Sequence, residues 1–567
     1  MMKGYNFDEF AKSSKSQWLD KLKKDLGDEN AQKILTWNCE RDLILSSYYD
    51  KEDFSGNVAA PHANTDWKFL QILGTTSTNE KVLDGLMNGA DGSILSDDHV
   101  TDINQLLATV KPQYSTLALC TSSFNSYEKL AHWWKSNNPT DKDGEVLVFH
   151  HIDDISQILN SDLLDFLDQS FEIGHKIGHR TININSGLVQ CNGGSAAVEL
   201  AYMLSQMVFY TNHFLNAGHK LEDITKGIFV STSIGSSYFL ELAKVRAMRL
   251  LLTQLFKQYG VENITIPIHA ETSAITKTAL DSNTNFLRCT SEAMSAVLGG
   301  VNYLSINPRH SLSSTDRIAR NISNLLKEES YFAKISDPSA GSYYLENLTS
   351  ELMKEAWGMF KQLESDGGFE NAVNGNFFKD IIKRDFEFQR NRINSGRKKM
   401  VGVNDFGNQD ETVTMDSLHQ EHLSLASDFE MVRKAVESYV EKEGETSRPT
   451  VYLLGVGSNS KMINARFTFV TNFFNWAGFK IEKINPIQEL NQKHILVCCG
   501  GDDDYTESNV DLALNGQKTQ TLILGAGKEH AEASNQITNW VNARSNRLEV
   551  VRNILTQLGV TQNAPLS

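Results

Sequence analysis

Apolar positions along the chain fall into two alternating stretches. From Trp67 onward, short runs rich in β-branched and aromatic residues recur between longer segments whose apolar positions lie three and four apart. The β-rich runs are Trp67–Leu73, Ser93–Leu95, Thr116–Cys120, Glu145–His151, Thr181–Asn185, Ile228–Ser233, Ile264–Glu271 and Asn302–Asn307. Leu240, Ala243, Ala247, Leu250 and Leu251 mark one of the helices between them. Eight strand–helix units predict an α/β fold with a (β/α)8 TIM barrel over residues 61–369. Residues 450–567 alternate again, with strand-like runs at Val451–Val456, Phe479–Ile484, Ile495–Cys499 and Thr521–Leu524 and a helical run at Ala465–Trp476. That pattern predicts a smaller, doubly wound sheet of flavodoxin-like type.

Two segments stand outside this alternation. Residues 370–449 are charged and mostly helical, with a basic patch at Arg390–Lys399 followed by Val-Gly-Val-Asn-Asp-Phe, and read as a connector. Ser447-Arg448-Pro449 closes it as a domain boundary. Residues 1–60 read as an N-terminal arm, helical over Phe7–Leu26 and strand-like over Leu43–Tyr49. The arm is too short for a core of its own, so Phe7, Phe10, Trp18 and Leu22 are expected to be covered by another surface. A local helix and hairpin is the alternative.

Asp337-Pro338-Ser339-Ala340-Gly341-Ser342-Tyr343-Tyr344-Leu345-Glu346 leads into a further helical pattern. The Asp-Pro pair predicts an extended or turn conformation at Asp337. Thr349 reads as the N-cap, with Glu351 in the first turn. Leu352, Ala356, Met359 and Leu363 form the buried face, and Gly367-Gly368 the stop.

Length and composition fit a globular protein of several domains: 567 residues, 40% hydrophobic and 22% charged. The net charge of −16 argues against a nucleic-acid or anionic-membrane surface. No signal peptide and no apolar run long enough for a bilayer is evident, so no membrane role and a cytoplasmic location are expected. Cys39, Cys120, Cys191, Cys289, Cys498 and Cys499 form no Cys-x-x-Cys pair, which predicts scattered thiols in a reducing compartment and no zinc site.

Chemistry in a β/α barrel sits at the C-terminal ends of the strands. Those ends offer His150, His151, Asn185, Ser231, Ser233, His269, Glu271 and Asn307. His150, His151 and His269 beside Glu271 could be taken for a metal-dependent hydrolase. Adjacent His150 and His151 would point to opposite faces of a strand, however, and no second carboxylate completes the set. In the C-terminal domain, Gly455 and Gly457 could form a phosphate-binding turn, but a lone Gly-x-Gly is a weak signal and a tight strand-to-helix turn is favoured.

The wording of four stretches carries a resemblance. Residues 337–368 (DPSAGSYYLENLTSELMKEAWGMFKQLESDGG), 239–249 (FLELAKVRAMR), 293–300 (AMSAVLGG) and 79–92 (NEKVLDGLMNGADG) resemble signatures of the methylmalonyl-CoA mutase family, which carries them in the same order. The resemblance covers nearly the whole chain and implies the same barrel followed by a flavodoxin-like, cobalamin-binding-type domain. It also implies three vacancies. The family's catalytic chain carries a histidine that polarises the substrate thioester; Ser186–Gly193 is the matching stretch, with Leu188 at that position. Its Thr-Tyr-Pro-Trp tyrosine has no counterpart in Ala63-Asn64-Thr65-Asp66-Trp67. Its cobalt-ligand motif, Asp-x-His-x-x-Gly, corresponds to the degenerate loop Gly457, Ser458, Asn459, Ser460 and Lys461.

The resemblance therefore implies a non-catalytic small chain of a heterodimer, with no catalytic, cofactor-binding or metal residue of its own. The large catalytic subunit would hold adenosylcobalamin and the acyl-CoA, and the pair would interconvert (R)-methylmalonyl-CoA and succinyl-CoA. The arm resembles one that mutase subunits wrap around each other. Leucine at position 188 implies a packed barrel lumen rather than a tunnel for the CoA chain. A related acyl-CoA mutase of the isobutyryl-CoA type, or a scaffold or regulatory module without an isomerase partner, remain the alternatives.

Overall fold

The computed structural model describes residues 13–27, 35–54, 65–74, 77–138, 144–309, 314–408, 423–484, 494–514, 522–529 and 532–560. The chain divides into two compact units. The first comprises residues 1–271, 292–306 and 320–385, and the second residues 272–291, 307–319 and 386–567.

The first unit opens with a helix, Lys15–Leu26, and a short antiparallel pair, β1 (Trp37–Asn38) and β2 (Ile44–Leu45). Eight strands follow: β3 (Lys68–Ile72), β4 (Gly92–Ser96), β5 (Thr116–Thr121), β6 (Glu145–His150), β7 (Ile182–Asn185), β8 (Ile228–Ile234), β9 (Ile268–Thr272) and β10 (Tyr303–Ser305). All eight runs expected from the sequence are strands. They pair in parallel around a nearly closed, TIM-like barrel, in the order β6-β5-β4-β3-β10-β9-β8-β7. Its outer strands meet where Val148 N donates to Arg180 O and Arg180 N to Val146 O, both at 2.9 Å.

Side-chain alternation divides each strand between two cores. Leu117, Leu119, Val146 and Val148 face outward beneath the helices. Leu70, Ala118, Leu147, Phe149, Phe229 and Tyr303 fill the lumen. Phe149 meets Phe229 edge-on at 5.0 Å, so the interior at that level is a packed core.

Gly92 has no room for a side chain. A methyl group there would overlap the Thr116 carbonyl oxygen of β5. Gly92→Ala is expected to force β4 and β5 apart and to cost about 3 kcal/mol or more. A fall in the denaturant midpoint of the first unit, followed by circular dichroism, checks this.

The signature helix runs from Tyr343 to Ser365, and two expectations about it are corrected. Its N-cap is Ser342, not Thr349, and Glu346 rather than Glu351 is the first-turn acid. Thr349 lies one turn inside, fully buried, with its hydroxyl donating to Leu345 O at 2.7 Å. Of the two conformations expected at Asp337, extended or turn, it takes the turn: φ is +42°, Ala340 N donates to its carbonyl at 3.1 Å, and Arg246 and Ser339 hold its side chain. Gly341, at φ +83°, turns the chain into the helix, and its N–H donates to Glu346 Oε1 at 2.9 Å.

Phe7 and Phe10 lie outside the described residues, and the helix Lys15–Leu26 buries none of its residues. Cys39, Leu43 and Leu45 are buried against their own chain. Trp18 stacks on Tyr48 at 5.1 Å, and Tyr49 and Phe54 meet Tyr344 and Tyr343.

The second unit is built on five parallel strands, β11 (Thr450–Gly455), β12 (Lys480–Ile484), β13 (His494–Cys499), β14 (Leu522–Ala526) and β15 (Asn539–Val541). Their order is β12-β11-β13-β14-β15. β15 was not visible in the sequence. The helices Ser460–Phe474, Arg547–Gln557 and Ser427–Glu443 share its core through Phe473, Val551 and Phe429. Asp428 accepts from Arg390 and Asn394 Nδ2 at 2.7 Å and from Arg552 at 2.9 Å. The Val-Gly-Val-Asn-Asp-Phe loop is pinned by Asn404, whose amide donates to Ile393 O and Lys398 O at 2.8 Å. None of the six cysteines forms a disulfide.

Candidate functional site

The strand ends of the barrel do not bring the three histidines together. His150 points outward, 2% exposed, against the ring of Phe166, with Nε2 3.0 Å from Thr181 O. Burial pulls its pKa down to about 4, against the Thr181 bond. His151 is exposed, 3.5 Å from Asp153. His269 points into the lumen beside Phe149, with Nε2 2.9 Å from Ser305 Oγ. Ser305 Oγ donates to Leu70 O at 3.0 Å, so it accepts from His269, and Nε2 carries the proton. Burial holds His269 neutral, with a pKa near 3. Among the described residues no group of three His, Cys, Asp or Glu is placed to hold a metal.

Above the apolar floor the rim is polar. Ser231 Oγ lies 2.9 Å from Asn183 Oδ1 and 3.2 Å from Asn185 Oδ1. Cys191 Sγ donates to Ser233 Oγ at 3.3 Å. Glu271 lies two residues beyond His269, on the same side of β9. Asn307 N donates to Thr272 Oγ1 at 2.8 Å.

Leu188 occupies a short helical turn, Gly187–Cys191, immediately after β7. The turn is pressed against β8: a methyl group on Gly187 would stand 3.0 Å from Ser233 N. Leu188 is 9% exposed and offers neither a donor nor an acceptor from its side chain. At the other candidate position, Ala63 and Asn64 lie outside the described residues. Trp67 is buried with Nε1 donating to Ser323 Oγ at 2.9 Å, and Lys327 ties down Asp66 Oδ1 at 2.9 Å.

Helix Tyr238–Gln258 carries what sequence periodicity missed. Four of its buried residues are charged: Glu241, Lys244, Arg246 and Arg249. Lys244 Nζ lies 2.7 Å from Glu199 Oε2, Glu241 Oε2 and Ser233 O. Glu199 Oε1 accepts from Thr232 Oγ1 at 2.5 Å and Ser186 Oγ at 3.2 Å, which ties this network to the turn bearing Leu188. Burial alone would pull Lys244 down, but the two carboxylates outweigh it and hold the ammonium above its ordinary pKa. Burial raises Glu199 against the pull of Lys244. Arg246 binds Asp337, Glu346 and Thr349, and Arg249 Nε donates to Gly300 O at 3.0 Å. Asp84 and Gln71 share Arg320 at 3.0 and 2.8 Å. The recurring wording of the four stretches thus falls largely on buried charge pairs and close-packed glycines.

In the second unit, β11 ends in the loop Gly455–Lys461. Gly457 takes φ +84°, and a methyl group there would overlap the Asp504 carboxyl. Gly501 N donates to Asp504 Oδ2 at 2.7 Å, and Asp502 pairs with Arg466 at 2.7 Å. Asn459 caps the next helix by accepting from Met462 N at 3.3 Å, so Ser458, Ser460 and Lys461 lie in a helix start.

The two units define an α/β protein that joins a TIM-like barrel to a parallel sheet. A model of the family described as methylmalonyl-CoA mutase matches residues 166–443. Over that stretch the chain is similar to the methylmalonyl-CoA mutase family. It is 29% identical to the methylmalonyl-CoA mutase small subunit of Porphyromonas gingivalis, over 98% of each chain. It is 28% identical to a probable small subunit from Mycobacterium bovis, over 67% of this chain and 65% of that one. A methylmalonyl-CoA mutase large subunit of Porphyromonas gingivalis is 33% identical over 40% of this chain and 33% of its own. No helix among the described residues is long and apolar enough to cross a membrane.

Proposed function

We propose that the chain is the small, non-catalytic subunit of a heterodimeric, adenosylcobalamin-dependent methylmalonyl-CoA mutase. Its large partner would hold the cofactor and the acyl-CoA, and the assembly would isomerise (R)-methylmalonyl-CoA and succinyl-CoA. The observation that carries this reading is the loop after β11. An imidazole would be needed there to ligate cobalt, and the loop holds none; the Asp504 carboxyl instead packs against Gly457. Cobalamin does not fit these residues, so no step is assigned to it on this chain. The buried Leu188 supports the same reading, because leucine cannot polarise a thioester. The strand order β12-β11-β13-β14-β15 is that of a flavodoxin-like sheet, consistent with a cobalamin-binding-type domain that has lost its ligand. Nearly full-length likeness to a small subunit adds weight.

The test separates the chain from its partner. After gel filtration with adenosylcobalamin, the lone chain is expected to retain no corrinoid absorbance. Co-expressed with the large subunit from the same source, it is expected to form a 1:1 complex that turns over (R)-methylmalonyl-CoA, with no turnover by the lone chain. Stoichiometric cobalamin on the lone chain, or no complex, overturns the reading. Turnover of isobutyryl-CoA alone would reassign the substrate.

A further inference from the structure

We infer that residues 272–283, which follow β9, are a strap built into the core of the second unit, so that the stability of that core decides how firmly the end of β9 is held.

The division between the units falls inside β9. Residues up to 271 belong to the first unit, and Thr272, the last residue of the strand, opens a segment of the second that runs to residue 291. The chain therefore passes from the lumen-facing His269 and Glu271 into the other unit without a linker. The words of this stretch, Thr-Ser-Ala-Ile-Thr-Lys-Thr-Ala-Leu-Asp-Ser-Asn, are those of an ordinary strand-to-helix loop.

A connecting loop of that kind usually runs over the surface. This one is a core element. Ile275, Ala279 and Leu280 are 2%, 7% and 2% exposed, and they share one apolar cluster with Leu425 and Phe429 and with Val451 of β11. The polar groups are tied to the same helix and its approach. Leu425 N donates to Ile275 O at 2.9 Å, and Ser424 Oγ donates to Lys277 O at 2.7 Å. Glu430 is buried, and its Oε1 accepts from Thr278 Oγ1 at 2.7 Å and from Ala279 N at 2.8 Å. Withdrawing the strap would strip that carboxyl of both donors and leave a cavity beside Phe429.

Local opening follows cooperative units of packing rather than stretches of sequence. When the core around Phe429 opens, the strap loses its anchors, and the end of β9 loses the chain that fixes it. β5 has no such tie. Its Leu117 and Leu119 pack in a cluster made wholly of first-unit residues.

Hydrogen exchange of the full-length chain, read by segment, tests this. Phe429 is fully buried and its ring meets Trp476 at 4.5 Å, so Phe429→Ala weakens the second unit's core. The variant is expected to speed exchange about tenfold or more in β11 (450–455) and in β9 (268–272), while β5 (116–121) stays within twofold. A change within twofold in β9 overturns the strap. Unchanged exchange in β11 overturns it too, because the strap and the sheet would not share a core. Equal acceleration in β5 overturns it as well, because the chain would then open as one unit. Should Phe429→Ala not fold, Val432→Ala removes less from the same core and is read in the same way. Ile275→Ala supplies the converse: made on the strap, it should speed exchange in β11, and no change there overturns the proposal.

Discussion

Arg246→Met is expected to destabilise the first unit by about 3–5 kcal/mol, the cost of stripping a buried carboxylate of its cation. Arg246 is 1% exposed and serves three partners. Nη2 lies 3.0 Å from Asp337 Oδ2 and 3.1 Å from Glu346 Oε1, while Nη1 donates to Thr349 Oγ1 at 3.0 Å. Without the guanidinium, Glu346 keeps only the Gly341 N–H among these contacts, and Asp337 is left at positive φ with Ser339 alone. Arg246→Lys keeps the charge but not the planar fork, so it should fall between. Urea unfolding monitored by circular dichroism measures the loss. A change below about 1 kcal/mol for Arg246→Met would mean that the signature helix is held by its apolar face alone.

That prediction also locates what the sequence could and could not tell. The barrel strands were readable because each carries a local cue, a short β-branched run bounded by turn residues. β15 was not: Asn539-Trp540-Val541 is three residues long and has almost no pattern. It pairs with β14, where Trp540 packs so closely on Gly525 that a methyl group there would overlap its ring. Thr349 looked like a cap because threonine caps helices, but inside a helix its hydroxyl can bond the preceding turn instead, as it does to Leu345 O. The proline after Asp337 left an extended or a turn conformation open; the chain takes the turn, and the partner of its carboxyl, Arg246, lies 91 positions away, beyond any local cue.

The candidate site divides in the same way. Leu188 and the Gly457–Lys461 loop drew attention only through a resemblance; periodicity makes them an ordinary turn and an ordinary helix start. His150 and His269 looked alike in the sequence, yet one faces the helices and the other the lumen. Buried charge escaped notice because Glu199, Lys244 and Glu241 are paired across elements, and amphipathic periodicity counts charge as surface. Helix Tyr238–Gln258 buries 14 of its residues, so its charged positions had to find partners rather than solvent.

Lys244→Met carries the second large effect, and it depends on pH. Lys244 and Glu199 are both fully buried, with Glu241 at 7% side-chain exposure. The variant leaves two carboxylates facing each other without a cation, at an expected cost of about 3–5 kcal/mol near neutral pH. Burial already raises Glu199 with Lys244 in place, and loss of the ammonium raises it further. A carboxyl raised in the folded state binds a proton more tightly there than in the unfolded chain, so stability falls as pH climbs above the ordinary carboxyl value. The gap between native protein and variant should therefore be small near pH 5 and wide at pH 8. Glu199→Gln added to Lys244→Met should recover much of the loss at pH 8, since it removes the more deeply buried charge. Denaturant midpoints of the three proteins at both pH values provide the check. A gap that is the same at pH 5 and pH 8 would mean that packing around the lysine stem, not its charge, holds β8 to the helices behind it.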